Sequence, residues 1–231
     1  MDWKAELAKW PMYRPSFEVR PERTALLVVD MQNWGVRRDV EMGRFISAHY
    51  PAIADYFYSR IEELVIPNIQ RLLAGFRARG LAVVYLTVGP ELADGSDLSD
   101  IIKRRLVKRR KSGGPVAMPA KGHWEHDVVE ELQPRPGELV INKTSFGAFN
   151  STGLDQLLRN LGVESLVIVG TATDVCVETT ARDAADRSYR CVLVDDACAT
   201  MDHTAHNAAL LAFARSFGMV QSTDDVLARL V

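Results

Sequence analysis

The sequence predicts a three-layer α/β protein with a doubly wound, mainly parallel six-stranded sheet of Rossmann type and helices on both faces. Apolar runs rich in Val, Ile and Leu recur along the 231 residues with little alternation, as in strands buried on both faces. Helical patterns separate these runs, so strand and helix alternate from residue 24 to the end. Right-handed crossovers between parallel strands follow from that alternation.

Each predicted strand is a short apolar run, and the last of the six is the weakest. In chain order they are TALLVVD (24–30), LAVVYLTV (81–88), ELVINK (138–143), SLVIVGT (165–171), CVLVDDA (191–197) and MVQSTD (219–224).

Four segments between the strands have apolar residues at helical spacing. The first begins with a proline, and three of the four close on a glycine, which are common helix-start and helix-stop residues. The predicted helices are PNIQRLLAGFRARG (67–80), STGLDQLLRNLG (151–162), DVCVETTARDAADRSY (174–189) and HTAHNAALLAFARSFG (203–218).

The alternation of strands and helices predicts one domain spanning residues 23–231. Two segments of the chain do not fit that alternation. Residues 1–22 form an N-terminal arm with several aromatic side chains, and we expect it to pack on the body or on another subunit. Residues 89–122 form a long, loop-like insertion, and long loops in compact domains are often functional. The insertion contains KRRLVKRRK (103–111), with seven basic residues in nine. This run predicts a solvated helix face, or a rim that attracts an anionic substrate or pairs with an acidic neighbour.

Composition argues against several partners. The net charge of −2 and the sequence pI of about 6.2 do not favour nucleic acid or a membrane surface. The apolar runs are far shorter than the ~20 residues needed to span a bilayer. Three cysteines indicate a reducing compartment rather than a disulfide framework, and we expect a cytoplasmic protein.

Three predicted strand ends carry side chains suited to chemistry. Asp30 ends the first strand, Lys143 ends the third, and Cys176 follows the fourth in the first turn of a helix. Each alone has an ordinary structural explanation: a turn cap, a solvated lysine, a buried thiol. Because carboxyl ends of parallel strands meet at one sheet edge, the three together predict an acyl-transfer site. The helix start and the ammonium are expected to favour the thiolate.

Three motifs resemble the isochorismatase-like cysteine hydrolases, a family that includes nicotinamidases, N-carbamoylsarcosine amidases, ureidoacrylate amidohydrolases and biuret hydrolases. The motifs are ALLVVDMQN, INKTSFGAF and VGTATDVCVETTARDA, and the resemblance runs from about residue 22 to the C-terminus. It implies Asp30 as the proton-transferring carboxylate, Lys143 as its charged partner and Cys176 as the nucleophile. It also implies a cis peptide before Ala172 and an oxyanion hole formed by the N–H groups of Ala172 and Cys176.

The resemblance also reduces the number of reactions that the protein is expected to catalyse. Family members that cleave isochorismate lack the cysteine, so Cys176 favours hydrolysis of an amide or ureide through a thioester. Nicotinamidases carry a metal site built from an Asp and two His, whereas TVGPELADGSD after the second strand has no histidine. We therefore expect no metal and no cofactor. The stretch AKGHWEHDVVEELQPRPGE and the TDVCVETT style resemble the ureidoacrylate and biuret-type enzymes, which implies a small planar amide- or ureide-bearing acid as substrate.

Six further residues are candidate substrate contacts: Gln32, Asn33, Trp34, Ser145, Phe146 and Phe149. The side-chain amides among them could hydrogen-bond a urea-like group of the substrate. The aromatic rings could line the pocket or belong to the apolar core. A nicotinamidase acting without the usual metal, and an idle family member serving as a binding scaffold, remain open alternatives. The resemblance further implies a homo-oligomer, a dimer or a tetramer.

Overall fold

A six-stranded parallel sheet runs through the computed structural model, which describes residues 2–115 and 117–230. Its strands lie in the order β3-β2-β1-β4-β5-β6, which confirms the doubly wound prediction and makes every pairing parallel. The strands are β1 (Thr24–Val29), β2 (Ala82–Val88), β3 (Leu139–Lys143), β4 (Ser165–Thr171), β5 (Arg190–Ala199) and β6 (Met219–Gln221).

The α-helices cover both faces of the sheet. Those predicted at 67–80, 151–162, 174–189 and 203–218 are present as α5, α8, α9 and α10. The helices are α1 (Trp3–Ala8), α2 (Asn33–Val36), α3 (Glu41–His49), α4 (Pro51–Arg60), α5 (Ile66–Ala78), α6 (Asp100–Lys111), α7 (Ala148–Ser151), α8 (Leu154–Asn160), α9 (Glu178–Asp186), α10 (His203–Ser216) and α11 (Thr223–Arg229).

Two of these helices extend shorter π-helical segments. The segment Ile61–Val65 joins α4 to α5, and the segment Thr173–Val177 leads into α9. Short 3₁₀ turns occur at Pro21–Arg23, Trp124–His126 and Glu130–Leu132. The insertion at 89–122, expected to be loop-like, contains the 12-residue helix α6. Each helix among the described residues is too short or too polar to cross a membrane.

Alternate residues of β1 show how the sheet divides two apolar cores. Leu26 and Val28 pack with one core, which includes Phe76 of α5, while Leu27 and Val29 pack with the other, which includes Phe213 of α10. All six residues of β1 are buried, and so are all seven of β4 beside it. A fully buried aliphatic side chain contributes roughly 1.5–3 kcal/mol through its removal from water.

The N-terminal arm packs its first helix on the body of the same chain. Trp3 of α1 is buried, and its indole Nε1–H donates to the carboxylate of Asp195 at 3.0 Å. Further along, the Arg215 guanidinium lies 4.5 Å from the ring centroid of Trp10. Tyr13, by contrast, is 80% exposed. The arm is therefore anchored at its start and open to solvent near its middle.

Gly170 lets β4 pass close to β1. Its φ is +114°, and the register between β4 and β5 shifts at this point. A Cβ on Gly170 would lie 2.1 Å from the carbonyl oxygen of Val29, which is backbone and cannot give way.

We expect Gly170→Ala to lower the free energy of unfolding by about 2–4 kcal/mol, because strain and overpacking add at this position. Urea unfolding followed by circular dichroism measures the change. Gly153→Ala is the matched control, since a Cβ there meets nothing within 4 Å, and it should change stability by less than about 0.5 kcal/mol. Equal midpoints for the two variants would contradict the explanation.

Candidate active site

A small cavity opens at the carboxyl edge of the sheet, where β1, β2 and β4 end. Its volume is about 190 Å³, below the roughly 300–1,000 Å³ typical of pockets for drug-sized ligands. Asp30, Ala172 and Cys176 all line it. The structure thus brings two of the three strand-end residues to one opening, with the third directly behind.

Asp30 and Lys143 form a buried ion pair at this edge. Lys143 Nζ donates to Asp30 Oδ2 at 2.8 Å, and the two side chains are 0% and 6% exposed. The same Nζ also donates to the carbonyl oxygen of Ser145 at 3.3 Å. The other carboxylate oxygen, Oδ1, is buried and has no hydrogen-bond partner of normal geometry among residues 2–115 and 117–230. It is an acceptor available for a proton.

The backbone of Asp30 is held by strands on both sides. Its N–H donates to the carbonyl oxygen of Leu86 at 2.8 Å, and its own carbonyl accepts from Thr171 Oγ1 at 3.1 Å. Its φ of +51° lies in the left-handed region, which Asp adopts more readily than most residues. This turn directs the carboxylate toward Lys143 rather than along the strand.

Cys176 lies on a turn that joins β4 to α9. The peptide between Thr171 and Ala172 is cis, Ala172 is extended, and the π-helical segment Thr173–Val177 follows. We call residues 172–177 the Cys176 turn. The cysteine side chain is 7% exposed and lines the cavity, together with Ala172 and Val175 of the same turn.

The three groups shift one another's pKa values. Burial raises the pKa of the Cys176 thiol, Asp30 raises it further, and Lys143 only partly opposes the rise. Burial also raises the pKa of Asp30 against the opposing effect of Lys143. Burial alone would lower the pKa of Lys143, but Asp30 and Cys176 outweigh it and the net shift is upward.

These pKa shifts run against the expectation that the helix start and the ammonium favour the thiolate. The sequence argument weighed the helix start and the ammonium, but burial and the neighbouring carboxylate dominate at Cys176. The upward shifts favour the neutral thiol at Cys176 and the ammonium at Lys143.

Only some of the predicted substrate contacts line the cavity. Trp34 and Phe146 do so, and the Trp34 indole N–H has no acceptor among the described residues. Gly35 lines the cavity as well, and a Cβ added there would meet nothing within 4 Å. The cavity wall is therefore mostly aromatic and aliphatic on this side.

The amides of Gln32 and Asn33 are engaged elsewhere. Gln32 donates to the carbonyl oxygens of Val88 and His126 at 3.2 and 2.7 Å and accepts from the Val88 N–H at 2.8 Å. Asn33 donates to the Trp124 carbonyl at 2.9 Å. Both amides join chain segments far apart in sequence, and neither lines the cavity.

Ser145 and Phe149 also lie away from the cavity. The Ser145 hydroxyl donates to the Gly147 carbonyl at 2.9 Å, which shapes the loop after β3. Phe149 is buried, with its ring centroid 6.1 Å from that of Tyr189 and the Arg187 guanidinium 4.9 Å from its own. In this conformation these two residues shape the protein rather than a pocket for substrate.

Comparison with known proteins shows the family to which this chain belongs. A sequence model of the isochorismatase domain matches residues 24–225, most of the chain. The chain belongs to the isochorismatase family. Among named relatives, the ureidoacrylate amidohydrolase of Acinetobacter baylyi is 33% identical over 90% of this chain and 84% of its own. The ureidoacrylate amidohydrolase of Pantoea ananatis is 35% identical over 87% and 80%.

Solved structures agree with this membership. A cysteine hydrolase from Pseudomonas syringae pv. phaseolicola superposes with a TM-score of 0.77 at 28% identity and covers 96% of this chain and 98% of its own. The N-carbamoylsarcosine amidase of Thermoplasma acidophilum gives a TM-score of 0.61 at 26% identity, over 87% and 97%.

A second buried network supports the Cys176 turn of this isochorismatase-family chain, and sequence reasoning did not find it. The Thr173 hydroxyl lies 2.9 Å from His206 Nδ1, and His206 Nε2 lies 3.0 Å from Asp195 Oδ1. Arg60 donates to the Asp195 carbonyl at 2.8 Å, and Trp3 donates to its carboxylate. His206 lies in the helix predicted at 203–218, but the sequence gave no sign of Asp195 or Arg60 as its partners.

Among the described residues, His206 meets three polar partners at its two ring nitrogens. Nε2 lies 3.0 Å from Asp195 Oδ1 and 3.1 Å from Arg60 Nη2, and Nδ1 lies 2.9 Å from the Thr173 hydroxyl. The His206 imidazole thus fixes Thr173, the second residue of the Cys176 turn.

We expect the free energy of unfolding to fall as pH falls from 7 to 5, partly because of His206. Burial lowers its pKa, and Arg60 and His203 lower it too, whereas Asp195 raises it. An unfolded histidine titrates near pH 6.5, so below that pH the unfolded chain takes up a proton that the folded chain resists.

The variant His206→Gln removes that titration. Urea unfolding at pH 5, 6 and 7 should show a smaller loss of stability in His206→Gln than in the unchanged protein. Parallel pH profiles for the two proteins would contradict the assignment of a neutral, buried imidazole.

Proposed function

We propose that this protein is a cysteine amidohydrolase that cleaves a C–N bond of a small amide or ureide through a thioester. The observation that supports it most strongly is the cluster of Asp30, Lys143 and Cys176 at one cavity, with a free acceptor on Asp30. A carboxylate, an ammonium and a thiol are the groups that this chemistry requires.

In the first half-reaction the Cys176 thiol gives its proton to Asp30 while Sγ attacks the carbonyl carbon. A C–S bond forms, and the carbonyl becomes a tetrahedral oxyanion. The N–H groups of Ala172 and Cys176 are the proposed donors to that oxyanion, since both residues line the cavity on one turn. Asp30 then protonates the leaving nitrogen, the C–N bond breaks, and ammonia or an amine departs.

In the second half-reaction water replaces the departed nitrogen. Asp30 takes a proton from the water, whose oxygen attacks the thioester carbon. The C–S bond breaks, Sγ recovers a proton from Asp30, and the acid product leaves. Lys143 remains charged throughout. Burial keeps the Asp30 carboxylate basic enough to accept a proton, and Lys143 offsets that burial so that the carboxylate can be ionised in a dry crevice.

The relatives suggest where to look for the substrate. Several ureidoacrylate amidohydrolases are 33–35% identical to this chain, so 3-ureidoacrylate is the first compound to test. The cavity of about 190 Å³ suits a molecule of that small size. Nicotinamide, tested beside it under the same conditions, separates a ureide hydrolase from a nicotinamidase.

We expect Cys176→Ala and Cys176→Ser to abolish ammonia release from 3-ureidoacrylate while the fold stays intact, because the nucleophile is lost. Ammonia detection and thermal unfolding measure the two properties. Cys198→Ala is the matched control: that thiol is fully buried and does not line the cavity, so activity should persist. Turnover retained in either Cys176 variant would refute the proposal.

We expect Asp30→Asn to lower kcat by about 100- to 10,000-fold, the usual contribution of a general acid–base group. Loss of the carboxylate leaves Lys143 buried and unpaired, which costs about 3–5 kcal/mol of stability. The double variant Asp30→Asn/Lys143→Met removes that unpaired charge and keeps the test available if the single variant unfolds.

Asp186→Asn, at an exposed end of α9, is the control for the loss of a carboxylate and should leave kcat unchanged. If folded Asp30→Asn turned over at the rate of Asp186→Asn, Asp30 would have no part in proton transfer.

A further inference from the structure

One face of α6 forms part of the wall of the cavity. Ile102, Arg105, Leu106 and Arg109 all line it, at the spacing of neighbours on one side of a helix. The apolar members dock the helix: Ile102 packs with Val88 at the end of β2. The two arginines are thereby carried to the same opening as Cys176.

Neither arginine has an acidic partner. Among residues 2–115 and 117–230, no carboxylate lies within 4.0 Å of the guanidinium of Arg105 or Arg109. Arg104, one residue away but outside the cavity, pairs with Asp100 at 2.6 Å. Asp30 is the one acid among the described lining residues, and Lys143 already neutralises it. The cavity therefore contains two uncompensated positive charges.

Both arginine side chains make packing contacts, although Arg105 is exposed. The Cζ atom of Arg105 lies 4.5 Å from the ring centroid of Phe146, so the ring covers one face and the planar edge of donors stays open. Arg109 is half-buried, and its stem packs on Gly114, where an added Cβ would lie 2.7 Å from its Cγ. Burial and the charge of Arg105 both lower the pKa of Arg109, so an anion would relieve an existing repulsion.

We propose that Arg105 and Arg109 form a carboxylate subsite that selects anionic amides and ureides. The acid group of the substrate sits against the two guanidinium edges, and its scissile carbonyl lies at Cys176. This inference rests on the proposed amidohydrolase function for its reaction, but not for its binding step. Side chains four residues apart on a helix lie about 5–6 Å from each other at Cβ, so one carboxylate can meet both.

The chemistry of the subsite favours a carboxylate over other anions of the same charge. Two planar forks match the two coplanar oxygens of a carboxylate, and the surrounding apolar wall leaves little room for a larger hydrated anion. Since Lys143 neutralises Asp30, the two arginines are the net charge of the described cavity wall, and they orient the acid group toward α6.

The first test compares 3-ureidoacrylate with its uncharged methyl ester at fixed ionic strength. For Arg105→Met and Arg109→Met we expect KM for the acid to rise about tenfold or more, since charge-assisted hydrogen bonds are lost. KM for the ester should change less than about twofold, and kcat should change little for either. Arg105→Lys and Arg109→Lys, which keep the charge but lose the planar fork, should fall in between.

Arg110→Met is the matched control, because it removes one charge from an exposed position of α6 that does not line the cavity. It should leave KM for both compounds unchanged. Equal losses for acid and ester in the Arg105 and Arg109 variants, or no loss for the acid, would overturn the subsite and mark the pair as a solvated rim.

A binding measurement separates this proposal from the proposed reaction. Calorimetry with Cys176→Ala should detect 3-ureidoacrylate, and the triple variant Cys176→Ala/Arg105→Met/Arg109→Met should bind it about tenfold more weakly or worse. Arginine-dependent binding without turnover in the unchanged protein would keep the subsite and refute the amidohydrolase. Turnover by the unchanged protein, combined with equal binding of 3-ureidoacrylate by Cys176→Ala and by the triple variant, would support the amidohydrolase and refute the subsite.

Discussion

The buried ion pair between Asp30 and Lys143 is the constraint on which the site depends. Its two charges come from β1 and β3, which flank β2, so the pair bridges the end of the strand between them. Two ions removed from water are tolerable only together, and the loss of one leaves the other strongly destabilised. The same burial that makes the pair obligatory raises the pKa of the neighbouring thiol. Stability and reactivity at this edge are therefore set by one desolvated cluster.

The strand order explains why these groups meet. Because β1 and β4 are neighbours, the turn after β4 starts beside Asp30, and Thr171 joins the two directly through the Asp30 carbonyl. The insertion after β2 returns over the same edge as α6 and adds its guanidinium groups to the wall. A parallel sheet thus collects a charge pair, a thiol and a cationic rim at one end, although they are far apart in sequence.

Sequence patterns predicted the strands because the burial of a strand shows in its local composition. They predicted the meeting of three strand ends because the carboxyl ends of parallel strands lie at one edge of the sheet. They could not predict what Gln32 binds, since its partners Val88 and His126 are set by chain segments that only the fold brings together. The basic run at 103–111 showed charge but not which arginines face inward, because that depends on how α6 is rotated over the cavity. The sequence argument about Cys176 weighed the helix start and the ammonium but not burial, which raises the pKa of the thiol and depends on the fold.

Gly35 offers a place to redesign the scope of the pocket. It lies within α2 at the cavity wall, in backbone that an L-residue adopts easily, and there is open space where its side chain would begin. A larger side chain there would start in open space and narrow the opening, and alanine would also favour the helix by about 1 kcal/mol. Substitutions at Gly35 alone could therefore vary the size of the substrate that the cavity admits.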